Sequence, residues 1–382
     1  VIRGLSGNRV LVYSQGVRVE NQQFGDEHGL GLNDAGVESV EVIKGPASLL
    51  YGSDALGGVL YFNPEKFAAQ AADDQIKMIE VKLSQGAKPG HGGVLPASKI
   101  TPEIAEARGV PMGQDCESPA AHSAFKTPIE FCEFLGELRR LSNGKPIGFK
   151  LCIGHLREFL CMVKAMIKTG IVPDFIVVDG TEGGTGAAPL EFANHIGMPM
   201  VEGLSFVHNS LRGAGLRDQV RIGAAGKLVT AFDIARAMSL GADWCNSARG
   251  YMFPIGCIQA QACHTNHCPV GVATQDPMRQ QSLVVGDKSE RVYHFHQQTL
   301  HALQELVQAA GLQHPSDITA HHIVRRGSDH RVSSLAQLMP SQLPEGALLQ
   351  ADLSGLPLIY SQHWPAAVAG SFGLQTVAFQ SV

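Results

Sequence analysis

Three cysteines in the stretch CIQAQACHTNHCP, Cys257, Cys263 and Cys268, stand at C-x5-C-x4-C spacing and are followed by proline. Thiolates are soft donors that iron and zinc both accept, so three of them this close in sequence read as a metal or cluster site. The set favours an iron–sulfur cluster. Zinc held by the three thiols with His264 or His267 is the structural alternative. The other five cysteines, Cys116, Cys132, Cys152, Cys161 and Cys245, are scattered and read as small buried apolar residues. Eight cysteines in 382 residues do not make a disulfide scaffold, so a reducing, cytoplasmic setting is expected.

Small residues cluster in GTEGGTGAAP (180–189), GAAGK (223–227) and NSARG (246–250). Each directly follows an apolar strand-like run. Bare backbone N–H groups at such turns suit an anionic phosphate, with Arg249 as a charge partner. A single loop of this kind is more often a tight turn; two on consecutive strands make the phosphate reading worth carrying. Lys150 lies inside the apolar run GFKLC, where an uncompensated charge is costly. It is read either as one half of a structural ion pair or as a cation placed against an electron-rich cofactor such as a flavin. The loop SQGAKPGHGG (84–93) offers Gln85 and Lys88 as donors, and a loop lysine suits a carboxylate as a point charge. A solvated surface lysine is the simpler reading of Lys88 alone.

These residues must be positioned by strands and helices in alternation, which begin near Ile76 and indicate a parallel α/β architecture. The expected strands are IKMIEVKL (76–83), PIGFKLCIG (146–154), DFIVVDG (174–180), QVRIGAAG (219–226) and ADWCNSARG (242–250), with a further one near 114–118. Their apolar, β-branched character fits strands buried on both faces. Helices are expected over 155–170 and 227–241, each closed by a glycine. A longer one over 289–311 would lie beyond the barrel, with Val292, Phe295, Leu303, Leu306 and Ala310 on its apolar face.

Residues 1–62 follow a different grammar. They hold 11 of the 43 glycines, and strand-like runs alternate with glycine-rich turns. VESVEVIKGPASLLYGSDALGGV predicts strand, short helix, strand. The stretch GGVLYFNPEKFAAQAADD reads as a seam between the two grammars, because it has no flexible polar spacer. A hydrophobic content of 44% supports a sizeable core, and a net charge of -5 gives no footprint for nucleic acid. Without an apolar run of about 18 residues, no membrane span is expected. The opening VIRGLSGNRV lacks a secretory signal and a starting methionine, so a processed chain or a fragment is expected.

Taken together, QGAKPGHGG, GFKLCIG, DGTEGGTGAAP, GADWCNSARG and CIQAQACHTNHCPVGVATQDP resemble the FMN-binding synthase domain of glutamate synthase, in the type without an attached glutaminase. The resemblance runs from about Pro64 to about residue 345. It implies a (β/α)8 TIM-barrel type of fold, FMN, a three-iron (3Fe–4S) cluster, and reductive amination of 2-oxoglutarate to L-glutamate. Carried over, Cys257, Cys263 and Cys268 would be the cluster ligands. Lys150 would face the flavin beside Gly184 and Thr185, and Gly226, Lys227, Ala248, Arg249 and Gly250 would surround its phosphate. Gln85, Lys88 and Arg108 match positions that hold the 2-oxoglutarate carboxylates, and Lys150 and Lys88 would serve the chemistry. His91 and Val94 depart from the glutamate and glutamine common at their positions. That departure keeps a flavin oxidoreductase acting on another 2-oxo acid as an alternative. The implied partners are ammonia from solution or from a glutaminase, and an electron donor such as ferredoxin or an NAD(P)H-dependent reductase subunit.

IRGLSGNRVLV and VESVEVIKGPASLLYGSDALGGV resemble the plug domain of TonB-dependent outer-membrane receptors, over about 60 residues. The expected organisation is therefore a small α+β plug-like segment (1–62), the barrel with its iron–sulfur loop (63–345) and a C-terminal tail (346–382). A non-enzymatic plug fragment is the remaining alternative. Only about six family strands are expected. They would form an open barrel that binds FMN weakly or not at all.

Overall fold

The parallel sheet expected from the apolar runs forms, and its strands follow one another in chain order. The structure is a computed structural model that describes residues 10–14, 17–18, 37–43, 58–64, 67, 71–118, 121–184, 188–189, 191–328, 330–339 and 342–373. The chain divides into two compact units, residues 1–77 with 138–145, and residues 78–137 with 146–382.

In the first unit, strands β1 (Val10–Ser14), β2 (Val17–Arg18), β3 (Val37–Ile43) and β4 (Gly58–Pro64) form one sheet in the order β2-β1-β4-β3. β1 runs parallel to β4, while β2 and β3 are antiparallel to their neighbours. The ladder between β3 and β4 is irregular between Val37 and Ser39. The short helix expected between β3 and β4 lies outside the described residues.

In the second unit, β5 (Ile79–Lys82), β8 (Ile147–Leu151), β9 (Phe175–Asp179), β10 (Arg221–Ala225) and β11 (Trp244–Asn246) form a parallel five-stranded sheet. Each strand is hydrogen-bonded to the next in that sequence. A nucleotide-binding doubly wound sheet reverses its strand order at a switch point. This sheet does not, which is the winding of a (β/α)8 barrel. Among the described residues β5 and β11 form the two ends, so the sheet is an open arc.

The sixth expected strand is a correction. Its region contributes only β7 (Cys116–Glu117), which pairs antiparallel with β6 (Val94–Leu95) outside the parallel sheet. The surrounding GQDCESP is too polar and too short to be buried on both faces, as a parallel strand here requires.

The connecting helices are α1 (Pro102–Arg108), α2 (Pro128–Leu141), α3 (Leu156–Thr169), α4 (Met200–Gly213) and α5 (Ala231–Ser239). α3 follows from its sequence. Its apolar stripe buries Phe159, Leu160, Val163 and Met166, and Gly170 ends it in the left-handed conformation with its N–H on the Met166 carbonyl. α5 begins with a reciprocal capping box between Thr230 and Asp233. Ile147, Phe149, Ile176 and Ile222 are fully buried on one face of the sheet. Each such side chain stabilises by roughly 1.5–3 kcal/mol. The opposite face carries Phe175, Val177, Ala225 and Trp244 as a cluster, with the Phe175 and Trp244 rings edge to face at 5.9 Å.

Beyond the sheet lie the short helices α6 (Arg249–Met252) and α7 (Pro277–Gln280), then α8 (Val285–Ala309), which packs on α5. α8 buries Leu303 and Val307. Ala310, expected on that face, is exposed because the helix has already ended, and Val307 takes the inward place. The C-terminal region docks through α10 (Leu358–Ala366), which follows β12 (Val324–Arg326), β13 (Val332–Ser334) and the short α9 (Leu335–Leu338). Tyr360 on α10 is fully buried, stacks on Phe206 at 5.7 Å and donates to its carbonyl oxygen. Arg157 on α3 donates to the carbonyls of Phe372 and Gly373. No helix of the described residues is long and apolar enough to cross a membrane.

Candidate active site

The glycine-rich turns after β9, β10 and β11 converge at one end of the arc, the C-terminal end of the strands. There they enclose a cavity of about 210 Å³ with Lys150 of β8 and the loop that follows β5. Its wall brings together Gln85, Lys150, Gly184, Gly226, Lys227, Ala248 and Arg249. Seven of the residues expected from sequence therefore meet in one place, although they come from five separate strand ends.

The Lys150 side chain is about one quarter exposed and lines the cavity, and its amine lies 3.2 Å from a carboxylate oxygen of Asp179, the last residue of β9. The ion-pair reading of Lys150 is met by Asp179, and the same residue lines the cavity. Asp179 was not among the expected residues. It is 7% exposed, lines the same cavity and also accepts a hydrogen bond from the Gly86 amide at 3.0 Å. The available signal was a carboxylate closing a run buried along its whole length, FIVVD. Such a group needs a partner nearby. On the same sheet face, Glu80 and Lys82 lie in register with Gly148 and Lys150. Burial raises the pKa of Glu80 and lowers that of Lys82.

The turn after β10 is held in an uncommon backbone shape. Gly226 adopts φ +132°, and a Cβ there would lie 3.1 Å from the Gly180 amide nitrogen. Lys227 follows in the left-handed region at φ 50°, unusual for a residue with a long side chain. Strain of this kind persists where a site requires it. The Lys227 amine donates to the Asn194 side-chain oxygen at 3.1 Å. Across the cavity the Arg249 guanidinium lies over the Gly184 backbone. Beside it, Ser247 donates to the Leu228 carbonyl at 2.6 Å, tying the turn after β11 to the one after β10. Gly250 packs behind this contact and does not line the cavity.

The remaining expected residues lie elsewhere or outside the description. Lys88, expected on an exposed loop, is 5% exposed and donates to the Gly92 carbonyl at 3.1 Å. Burial lowers its pKa. The loop folds inward because Gly86 passes so close to β9's outgoing turn that a Cβ would fall 1.7 Å from the Gly180 carbonyl oxygen. Arg108 ends α1, but its side chain is outside the described residues, as is all of Thr185. His91 stands edge-on to Phe192, with ring centroids 5.4 Å apart.

Cys257, Cys263 and Cys268 are all free thiols on one loop after α6. Among the described residues no three His, Cys, Asp or Glu side chains gather closely enough to hold a metal ion. The thiols therefore share a loop but not a single point. The loop is nevertheless built to present sulfur. Burial works against the Cys268 thiolate, but the amides of Ala273, Val270, Val272 and Gly271 hydrogen-bond its sulfur and lower its pKa overall. Lys99 donates to the carbonyls of Cys263 and Ala273, and the Asn266 side chain donates to the Ser98 carbonyl, bracing the loop from the 97–99 turn. The donor chemistry fits a cluster or a thiolate-bound metal.

Residues 54–313 match the family described as the conserved region in glutamate synthase, and residues 1–59 match the TonB-dependent receptor plug domain. The glutamate synthase large subunit-like protein YerD of Bacillus subtilis is 42% identical over 278 residues, which cover 73% of this chain and 53% of YerD. The archaeal glutamate synthase (NADPH) of Methanocaldococcus jannaschii is 34% identical over 235 residues, covering 61% of this chain and 45% of that one. This chain thus spans about half the length of these relatives. Among solved structures, a mutant flavocytochrome b2 with pyruvate bound aligns over 74% of this chain and 54% of its own, at 14% identity and a TM-score of 0.37.

Proposed function

The chain belongs to the glutamate synthase family, and from that premise we propose that its second region carries out FMN-dependent reductive amination of 2-oxoglutarate to L-glutamate. The supporting observation is the cavity at the C-terminal strand ends. There the turns at Gly184 and Gly226 lie between three cations, Lys150, Lys227 and Arg249. The residues fit FMN in kind: bare backbone and a guanidinium for the phosphate, and a lysine for the flavin edge that gains negative charge on reduction. When bound, FMN supplies the hydride that reduces the imine formed from ammonia and the 2-oxo carbon.

The chain's own residues then have defined tasks. Lys227, Arg249 and the amides of the 226–227 and 248–249 turns would hold the phosphate, with Gly250 packed behind them. Lys150 orients the ring edge and balances its charge. Gln85 on the neighbouring loop, with Lys88 and Arg108, is assigned to the dicarboxylate, which Lys88 reaches only if its bond to Gly92 opens. Cys257, Cys263 and Cys268 would hold the 3Fe–4S cluster, which supplies one-electron transfer from an external donor, ferredoxin or an NAD(P)H-dependent reductase. Ammonia comes from solution or from a partner glutaminase. In this reading residues 63–345 are the synthase region, residues 1–62 a plug-like segment without a part in the chemistry, and residues 346–382 the tail.

Titration with FMN, followed by quenching of flavin fluorescence, tests the proposal. Saturable quenching that is lost in Arg249→Ala is expected, with the weak affinity of an open barrel. The absence of quenching at any concentration overturns it. Supplying reduced FMN with ammonium and either 2-oxoglutarate or pyruvate then separates substrates. Glutamate formation is expected, and preferential alanine formation would favour another 2-oxo acid.

A further inference from the structure

We propose that Asp179 is a positioning residue. Its carboxylate holds the Lys150 ammonium and the Gly86 amide in one arrangement, so the cation of β8 and the loop bearing Gln85 are set together. The geometry carries this. Asp179 closes a strand buried along its whole length, and its side chain is 9% exposed. A carboxylate in such a place is tolerated only where its oxygens are engaged. One oxygen, Oδ2, serves both neighbours, at 3.2 Å from the Lys150 amine and 3.0 Å from the Gly86 nitrogen. The loop cannot retreat without breaking that bond, and it cannot advance because Gly86 already lies against the Gly180 carbonyl.

Two consequences follow. Gln85 is adjacent to the pinned amide, so Asp179 fixes where the loop meets the cavity. Lys150 meets any anionic ligand with a carboxylate already on its amine, so Asp179 also sets how much positive charge the site presents. The second consequence rests, for its cofactor, on the flavin reading. The first does not.

The test separates shape from charge, using the whole chain without flavin. Acylation of the Lys150 amine by acetic anhydride is measured against exposed Lys168, alongside hydrogen exchange at the Gly86 amide. Asp179→Asn keeps an oxygen for Gly86 but offers no charge to Lys150. It is expected to speed Lys150 acylation about tenfold and to leave Gly86 exchange within about twofold. Asp179→Ala is expected to speed both about tenfold. Unchanged Lys150 acylation in the Asn variant overturns the proposal. If the Ala variant unfolds, shown by faster exchange throughout β8 to β10, the Asn variant decides alone. With FMN added, Asp179→Asn is expected to raise the preference for reduced over oxidised FMN about tenfold, and an unchanged preference overturns the charge role. If the wild-type chain takes up no FMN, the flavin reading fails, while acylation and exchange still decide the role of Asp179.

Discussion

The cavity at the strand ends and the cysteine loop carry the two sets of candidate chemistry, and the fold treats them differently. Each cavity residue stands at or just beyond the end of a strand whose inner residues are buried, so the backbone delivers Lys150, Asp179, Gly226 and Arg249 to one place. The cysteine loop has no strand beneath it. It is shaped by local turns, with Gln259, Gln261 and Asn266 in the left-handed region, and its thiols stay apart. A ligand arriving at the cavity finds its groups in position. The bonds from Lys99 and Asn266 hold that loop's backbone in place without bringing its three thiols to one point.

The sharpest way to break this comparison is to remove a strand's packing. Phe149→Ala deletes a ring that is fully buried and edge to face with Phe131 at 5.1 Å. It is expected to cost about 3–5 kcal/mol in urea unfolding and to abolish FMN quenching with it. Retained binding in a destabilised chain would show that the cavity does not depend on its strands. Lys150→Met comes next: turnover is expected to fall about 100-fold, measured by glutamate formation from reduced FMN, with a loss of about 1–3 kcal/mol in urea unfolding because the Asp179 carboxylate is left without its cation.

A pH titration of stability probes the opposite end of the same strands. His208 is half-buried, accepts a hydrogen bond from Arg217 and has its pKa lowered to about 4, first by desolvation and then by Arg217 and Arg212. The folded chain keeps this imidazole neutral, so the unfolded chain takes up the proton first as pH falls below about 6.5. Stability is expected to drop by about 3 kcal/mol between pH 6.5 and 4 and then level off in this contribution. In His208→Gln that slope should be absent from urea unfolding curves.

Gly226→Ala forces a side chain into φ +132° and is expected to cost about 1–3 kcal/mol, with weaker FMN binding. The smallest effect should come from the other region. Cys263→Ser is expected to change stability in the metal-free chain by less than about 0.5 kcal/mol, while iron bound after reconstitution falls to background. A large loss of stability in the metal-free Cys263→Ser chain would mean that the loop is structural and preformed.

The strands were legible because a buried parallel strand needs an apolar, β-branched run, and five such runs occur at the spacing that helices require. The sixth was misread near Cys116, where short polar residues pair locally instead of entering the sheet. Lys150 and the glycine turns were legible because each breaks the pattern around it. Asp179 breaks the pattern equally, at the end of DFIVVD, yet its importance depends on where Gly86 passes, and nothing local encodes a contact across 93 residues. The burial of Lys88 was illegible for the same reason. The separation of the three thiols was hidden too, since spacing along a loop does not determine distances across it.

The grip of Arg157 on Phe372 and Gly373, and of Phe206 on Tyr360, has a consequence for biosynthesis. These partners are separated by 215, 216 and 154 residues. At about 5–20 residues per second on the ribosome, α3 and α4 wait on the order of ten to forty seconds for the segment that covers them. During that interval the ring of Phe206 and the outer side of α3 are open to solvent and to neighbouring nascent chains. The tail therefore acts as a late closing clasp, and the yield of soluble protein should depend on the speed and completeness of its synthesis.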